Sequence, residues 1–276
     1  MMSYKTLLTV HFLDDTPDRL DPIISIAQNM DAHLNIIVMG ILPPPASSTY
    51  AAVPDNYWSI EYDRVLKDCD TRVAQVKKMA TSSGISASVL PECKEFGMIF
   101  RTMARHALYC DLTLIPAREL LSRPALTEAF NGPLFESGRG VLLVPDGMDR
   151  LPQGAPTVFA WDGSPQAARA FMMALPLMKT GSAVELAIVD PGSDRGPRPG
   201  DDMATYLTRH QLEVQVSLLA SSGRSAAEVI RERATDVDAG LIVMGGYGHS
   251  RIQEWLLGGT TRDMLHEPHL PILFAH

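Results

Sequence analysis

The sequence predicts an α/β protein made of two tandem domains, each a five-stranded parallel sheet with helices on both faces. Three observations carry this. Short apolar runs alternate with amphipathic stretches along the chain, the order of strand and crossover helix in a parallel sheet. Runs such as Leu241-Ile242-Val243-Met244 and Val141-Leu142-Leu143-Val144 are apolar throughout, as expected of strands buried on both faces. The same order of elements occurs twice, on either side of a polar, turn-rich segment from Pro145 to Pro156. Domains are therefore expected at residues 1–145 and 156–276.

Leu7 to Val10 is the first predicted strand, and Asp14-Asp15-Thr16-Pro17 is the turn after it. Ile23, Ile26, Ala27 and Met30 recur at helical spacing. Leu34 to Met39 is the second strand, and Leu42 to Pro54, rich in Pro, Ala and Ser, reads as a loop. A long helix follows, because Tyr62, Val65, Leu66, Cys69, Val73, Val76 and Ala80 share one face. Ser86 to Leu90, Leu112 to Ile115 and Val141 to Val144 are the remaining strands of this half. Helices are expected over Met98 to Ala107 and between the last two strands.

The second half opens with a strand at Val158 to Trp161. Asp162-Gly163 turns the chain, and Ser164-Pro165 starts a helix with Ser as cap and Pro in the first turn. Its buried face is Ala167, Ala170, Phe171, Ala174, Leu175 and Met178. Val184 to Val189 is a strand, Pro191 to Gly200 a loop, Asp202 to His210 a short helix, and Val214 to Leu219 a strand. Ser225 and Glu228 form a capping box at the start of the next helix. The strand Leu241 to Met244, a glycine-rich loop, a helix over Arg262 to His266 and a last strand at Ile272 to Phe274 complete the half.

Composition excludes several functions. The 276 residues are 46% hydrophobic, with a net charge of −8 and a pI of about 5.5. No basic stripe stands out, so nucleic acid is not an expected partner. No apolar run is long enough to span a bilayer. Three cysteines, Cys69, Cys93 and Cys110, all in the first half, fit a reducing compartment better than a disulfide framework. The opening MMSYKTLLTVHFLDD carries no signal-peptide cleavage pattern. A soluble, cytoplasmic protein without a membrane partner is the expectation.

The chemistry concentrates in Leu241 to Thr261. Gly245, Gly248 and Gly258 stand in the spacing G-x2-G-x9-G, and Gly259, Thr260 and Thr261 follow at once. Glycines at a strand's carboxyl end let backbone approach a ligand. Small and hydroxyl residues at a helix start leave N–H groups for an anion. The other reading of these residues is a glycine-rich turn that only joins strand to helix.

This stretch resembles the nucleotide-binding signature of the universal stress protein family, G-x2-G-x9-G-[S/T]-x-[S/T]. Gly245, Gly248 and Gly258 match its glycines and Thr261 its last hydroxyl. Gly259 departs from it, since the family usually carries Ser there. The resemblance covers both halves, through the motif in the second and element order in the first. It implies two tandem Rossmann-like domains of the adenine nucleotide alpha hydrolase type. It also implies an adenine nucleotide, ATP or the related AMP or ADP, in the second domain. Asp162 matches the family's adenine-contacting Asp, although capping its own turn is the alternative. The residues expected at this site are Trp161, Asp162, Val189, Met244, Gly245, Tyr247, Gly248, Gly258, Gly259, Thr260 and Thr261. Val189 reads either as a wall for the base or as ordinary core.

No G-x-G-x-x-G follows the first strand of either half, and no G-x-x-x-x-G-K-[S/T] occurs. The Gly245 to Thr261 loop has no lysine; Arg251 and, just beyond, Arg262 are its cations, and Asp263 or Glu254 would serve a magnesium ion. No set of metal ligands, clamps and nucleophile for efficient phosphoryl transfer is assembled, so binding with slow or no hydrolysis is expected. The first half departs from the motif: Pro116 stands opposite Gly245, Glu119 opposite Gly248, and Ala129 and Phe130 near the far glycines. That half is not expected to bind nucleotide in the family's way. His266, His269 and His276 lack zinc-motif spacing and read as solvent-facing; His249 lies inside the glycine loop.

The expected function is a stress-response protein that binds adenine nucleotide in its second domain and signals by conformation to an unknown protein partner. The alternatives are an interaction module without nucleotide, or a slow ATPase. Family members often dimerise through the last strand. Val141–Val144 and Ile272–Phe274 are therefore expected to pair antiparallel within the chain as a pseudo-dimer, a homodimer being the other outcome.

Overall fold

The computed structural model describes residues 3–43, 57–152, 154–192, 198–247, 259–266 and 268–276. The first half contains β1 (Thr6–Phe12), α1 (Asp21–Asn29), β2 (His33–Leu42), α2 (Tyr57–Ser82), β3 (Ala87–Glu95), α3 (Ile99–Ala107), β4 (Leu112–Pro116), α4 (Pro124–Glu136) and β5 (Gly140–Val144). The second contains β6 (Thr157–Ala160), α5 (Pro165–Ala174), β7 (Ala183–Val189), α6 (Asp201–Arg209), β8 (Glu213–Leu219), α7 (Ala226–Asp236), β9 (Leu241–Gly245), α8 (Gly259–Met264) and β10 (Ile272–Ala275).

The ten strands form one sheet in the order β3-β2-β1-β4-β5-β10-β9-β6-β7-β8. Every neighbouring pair is parallel except β5 and β10, which meet antiparallel with Leu142 opposite Leu273 and Leu143 opposite Ile272. Both strands are buried along their length, so the seam is core and not a polar contact. Two copies of the order 3-2-1-4-5 thus join edge to edge within one chain.

Strand side chains alternate between two apolar layers. In β2, Ile36 and Val38 face one layer, while Ile37 and Met39 face the other. Helices α1, α2, α5 and α6 cover the first layer; α3, α4, α7 and α8 cover the second. Each layer draws residues from both halves, which explains why the predicted strands are apolar without a period of two.

Helix starts follow their local chemistry. The Ser164 hydroxyl accepts from the Ala167 N–H at 3.1 Å, with Pro165 in the first turn of α5. Ser225 and Glu228 exchange both bonds of a capping box, at 3.2 and 2.7 Å. The third strand runs to Glu95, beyond the Leu90 expected from the sequence, because it is an edge strand where Pro91 needs no second partner. The last helix begins at Gly259 and not at Arg262. Most of the loop expected over Leu42 to Pro54 lies outside the described residues, and β2 itself runs to Leu42.

Candidate functional site

In this second half β6 lies between β9 and β7, so strand order reverses at β6, and a ligand cleft is expected beyond the strand ends there. A cleft of about 370 Å³ opens at that point. Its floor is Ala160, Ala187 and Met244; Trp161, Asp162 and Val189 form one side; Ala226 and Ile230 of α7 and the turn Gly259-Thr260-Thr261 close the other.

The cleft exists because its floor is small. Ala160 and Ala187 are register partners, the last pair of β6 and β7. Leu7 and Thr157 hold the same register position, against Leu112 and Leu241, so the first-half counterparts of Ala160 and Ala187 are Val10 and Ile37, both buried. The Arg123 guanidinium lies over the Phe12 ring, 4.4 Å from its centre. Larger side chains, Val10 and Ile37, therefore stand in the first half where the second has two alanines.

Sequence-expected residues divide into two groups. Trp161, Asp162, Val189, Met244, Gly245, Tyr247, Gly259, Thr260 and Thr261 all line the cleft. Gly248 and Gly258 lie outside the described residues, as do His249, Arg251 and Glu254. The residues that sequence reading missed are Ala160, Ala187, Ala226 and Ile230. An alanine at the end of β6 and another near the end of β7 were the available signal, but their meaning depends on their pairing.

Gly245 lines the cleft and has a packing role as well. A Cβ there would lie 2.6 Å from the Ala167 backbone nitrogen and 2.9 Å from the Gln166 carbonyl carbon. Its bareness lets the first turn of α5 pack on the end of β9. At Gly259 an added Cβ meets nothing within 4 Å among the described residues, so that position accepts the Ser usual in the motif.

Asp162 takes part in its own turn: Oδ1 accepts from the Ser164 N–H at 2.9 Å. Thr261 is buried, and its hydroxyl accepts from the Tyr247 N–H at 3.4 Å, tying the start of α8 to the end of β9. On the far side of α8, Arg231 donates to the carbonyls of Asp263 and His266, the latter at 3.3 Å, which holds the helix's carboxyl end. Tyr247 has φ of +59°, a left-handed conformation that a non-glycine residue keeps only under constraint. Burial raises its phenol pKa, and its hydroxyl has no partner among the described residues. Asp162 is the one charged residue among the described lining, so a polyanion would draw its counter-charge from backbone dipoles and from outside that lining. Among the described residues no group of three His, Cys, Asp or Glu is placed to hold a metal ion, and no helix is long and apolar enough to cross a membrane.

The first half carries a different arrangement. Asp15, with 2% of its side chain exposed, accepts from the Phe12 N–H at 2.7 Å and pairs with Arg123 and Arg19. Arg72 donates to the carbonyls of Leu13 and Asp15 and to Nε2 of His11. Burial, opposed by Asp15 and reinforced by the arginines, pushes the His11 pKa down to about 4. A hollow of about 590 Å³ lies beside this network, at the carboxyl ends of β4 and β5, lined by the start of α1 and the segment leading into α4. Its wall carries Asp14, Asp15, Asp18, Glu119 and Asp146 against Arg19, Arg118 and Arg123, an acidic balance unsuited to phosphate. Glu119 there is held by Arg19 at 2.8 Å. Of the three C-terminal histidines, His266 and His269 are exposed, whereas His276 is half-buried and donates from Nδ1 to the Gly246 carbonyl at 3.0 Å.

Residues 156–276 match the family model described as the universal stress protein family. The whole chain is similar in fold to a universal stress protein from Archaeoglobus fulgidus, at 15% identity and a TM-score of 0.72, covering 98% of this chain and 95% of that one. Two Pseudomonas aeruginosa proteins are also similar in fold. One has 16% identity, a TM-score of 0.58 and coverage of 99% and 93%. The other, of unknown function, has 15% identity, a TM-score of 0.55 and coverage of 99% and 92%. No curated protein matches the chain.

Proposed function

Taking as premise that residues 156–276 are a universal stress protein domain, we propose that this chain binds one adenine nucleotide, ATP or its di- or monophosphate, in the cleft of its second half. The observation that carries the reading is the alanine floor, Ala160 and Ala187, at the reversal of strand order beneath the glycine turn. Its 370 Å³ lies at the lower end of the range for small-molecule sites. The fit is chemical as well as spatial. An apolar floor suits a base, Asp162 stands at the rim to accept from an amino or hydroxyl group, and Thr260 with the first turn of α8 offers donors to phosphate. Magnesium, if it accompanies the nucleotide, would draw on Asp263 or on phosphate oxygens.

We take residues 1–145 and 156–276 as the two domains, the first serving as scaffold for the second. The reading extends to a cytoplasmic protein that changes conformation with nucleotide and passes that change to a protein partner. A second reading, an interaction module without nucleotide, is favoured by the turn bond of Asp162 and the structural tie of Thr261. Mass spectrometry of ligand released from purified protein, with calorimetry against ATP, ADP and AMP, separates the two. The proposal expects adenine nucleotide at one equivalent per chain. Protein that is folded, ligand-free and silent to all three nucleotides would leave the interaction module standing.

A further inference from the structure

We propose that Phe135, contributed by the first half of the chain, is a positioning residue for the site in the second half; this rests on the nucleotide reading above. Phe135 lies in the last turn of α4. Its ring centre is 4.7 Å from that of Tyr247 and 5.0 Å from that of His276, the second contact edge-on. His276 donates to the Gly246 carbonyl, and the Gly246 N–H bonds back to the Ala275 carbonyl at 2.8 Å. Leu134, the neighbour of Phe135, lies beneath Gly246: a Cβ added there would come within 3.3 Å of its side chain. The turn that leaves β9 is therefore backed by α4, an element of the other half.

The contact matters because of what Tyr247 is asked to hold. Its left-handed backbone persists only where its surroundings fix it. Tyr247 lines the cleft, and its N–H reaches Thr261 at the start of α8. Phe135 supplies an aromatic surface on which the Tyr247 ring rests, and ring pairs of this kind favour tilted geometries such as the 49° seen here. Without the ring, Tyr247 relaxes toward extended backbone, the wall moves and the tie to Thr261 breaks. The first half thereby acquires a role in the second half's binding.

The test uses the full chain. Phe135→Ala should weaken ATP roughly five- to tenfold by calorimetry, the size of one aromatic pair. Phe135→Tyr should restore affinity to within about twofold, because the ring surface returns. Phe135→Leu, which keeps apolar volume, serves where the alanine variant does not fold, and should show the same weakening. Val73→Ala on α2 is the control for general destabilisation, and should lower the melting temperature without changing affinity. The protein is also labelled with 3-fluorotyrosine, with the Tyr247 signal assigned through Tyr247→Phe. That signal should shift in Phe135→Ala and Phe135→Leu and stay near its place in Phe135→Tyr. ATP affinity unchanged in Phe135→Ala, or equally reduced in Val73→Ala at a matched melting temperature, overturns the proposal. If the wild-type chain binds no nucleotide, the function proposed above fails by itself. The fluorine signal then still decides this inference, and an unmoved Tyr247 resonance refutes the positioning.

Discussion

Filling the alanine floor should abolish binding while leaving the fold intact. Ala187 sits two residues before the end of β7, nearly inaccessible, paired with Ala160 and lining the cleft. Ala187→Met adds three heavy atoms, and at roughly one water volume of about 30 Å³ each they occupy on the order of 90 Å³. That is about a quarter of the 370 Å³ available, taken from the deepest part where an apolar base would lie. A ligand displaced from that depth loses both buried area and the alignment of its phosphates with α8. ATP affinity should fall more than about tenfold, at least about 1.4 kcal/mol. The protein itself should not suffer, because the added side chain enters open volume and not a packed core, so the overpacking cost of roughly 1–3 kcal/mol does not arise. The first half carries larger side chains, Val10 and Ile37, at the equivalent register pair. Calorimetry with ATP and thermal melts by circular dichroism read the two effects separately. Wild-type affinity in a folded Ala187→Met variant would refute the placement of the base on this floor.

Three further outcomes follow from the geometry. Asp162→Ala should weaken adenine nucleotides by about 1–3 kcal/mol and leave inorganic triphosphate almost untouched; equal losses in titrations of both would mean that Asp162 only holds its turn to Ser164. Gly245→Ala should lower the melting temperature, because its Cβ would meet backbone at 2.6 Å, whereas Gly259→Ser enters open space and should keep stability and strengthen phosphate binding; a destabilised Gly259→Ser chain in thermal melts would count against the placement of α8. His11 has a folded pKa of about 4 against the ordinary 6.5, so between these values the unfolded chain binds the proton and the folded chain does not. Stability should therefore fall as pH drops from 6.5 toward 4, and His11→Asn should flatten that slope in urea melts; an unaltered slope would remove His11 as its source.

Much of this protein was determined by sequence alone. The alternation of apolar runs with amphipathic stretches is local, and local patterning governs element type, so the strands, the twofold repeat and the capped starts of α5 and α7 were legible. The pairing of Val141–Val144 with Ile272–Phe274 was legible through the family resemblance, whose members pair by that strand, and through the apolar character of both runs. The motif placed the candidate site in the second half for the same local reason.

What it could not contain is the meaning of residues that meet only across the sheet. Ala160 and Ala187 are unremarkable core alanines until register sets them side by side at a strand reversal and leaves a cleft. Gly245 reads as a residue cleared for a ligand until α5 arrives and its backbone occupies the space a Cβ would need. Pro91 reads as a strand end until β3 is found at the sheet's edge, where the missing N–H goes unasked. Phe135 and Tyr247 lie in different halves of the chain and touch only because β5 and β10 join the halves into one sheet. Propensity acts between near neighbours, whereas the volume of a cleft and the support of its walls depend on side chains brought together by packing, and packing is decided by the whole chain at once.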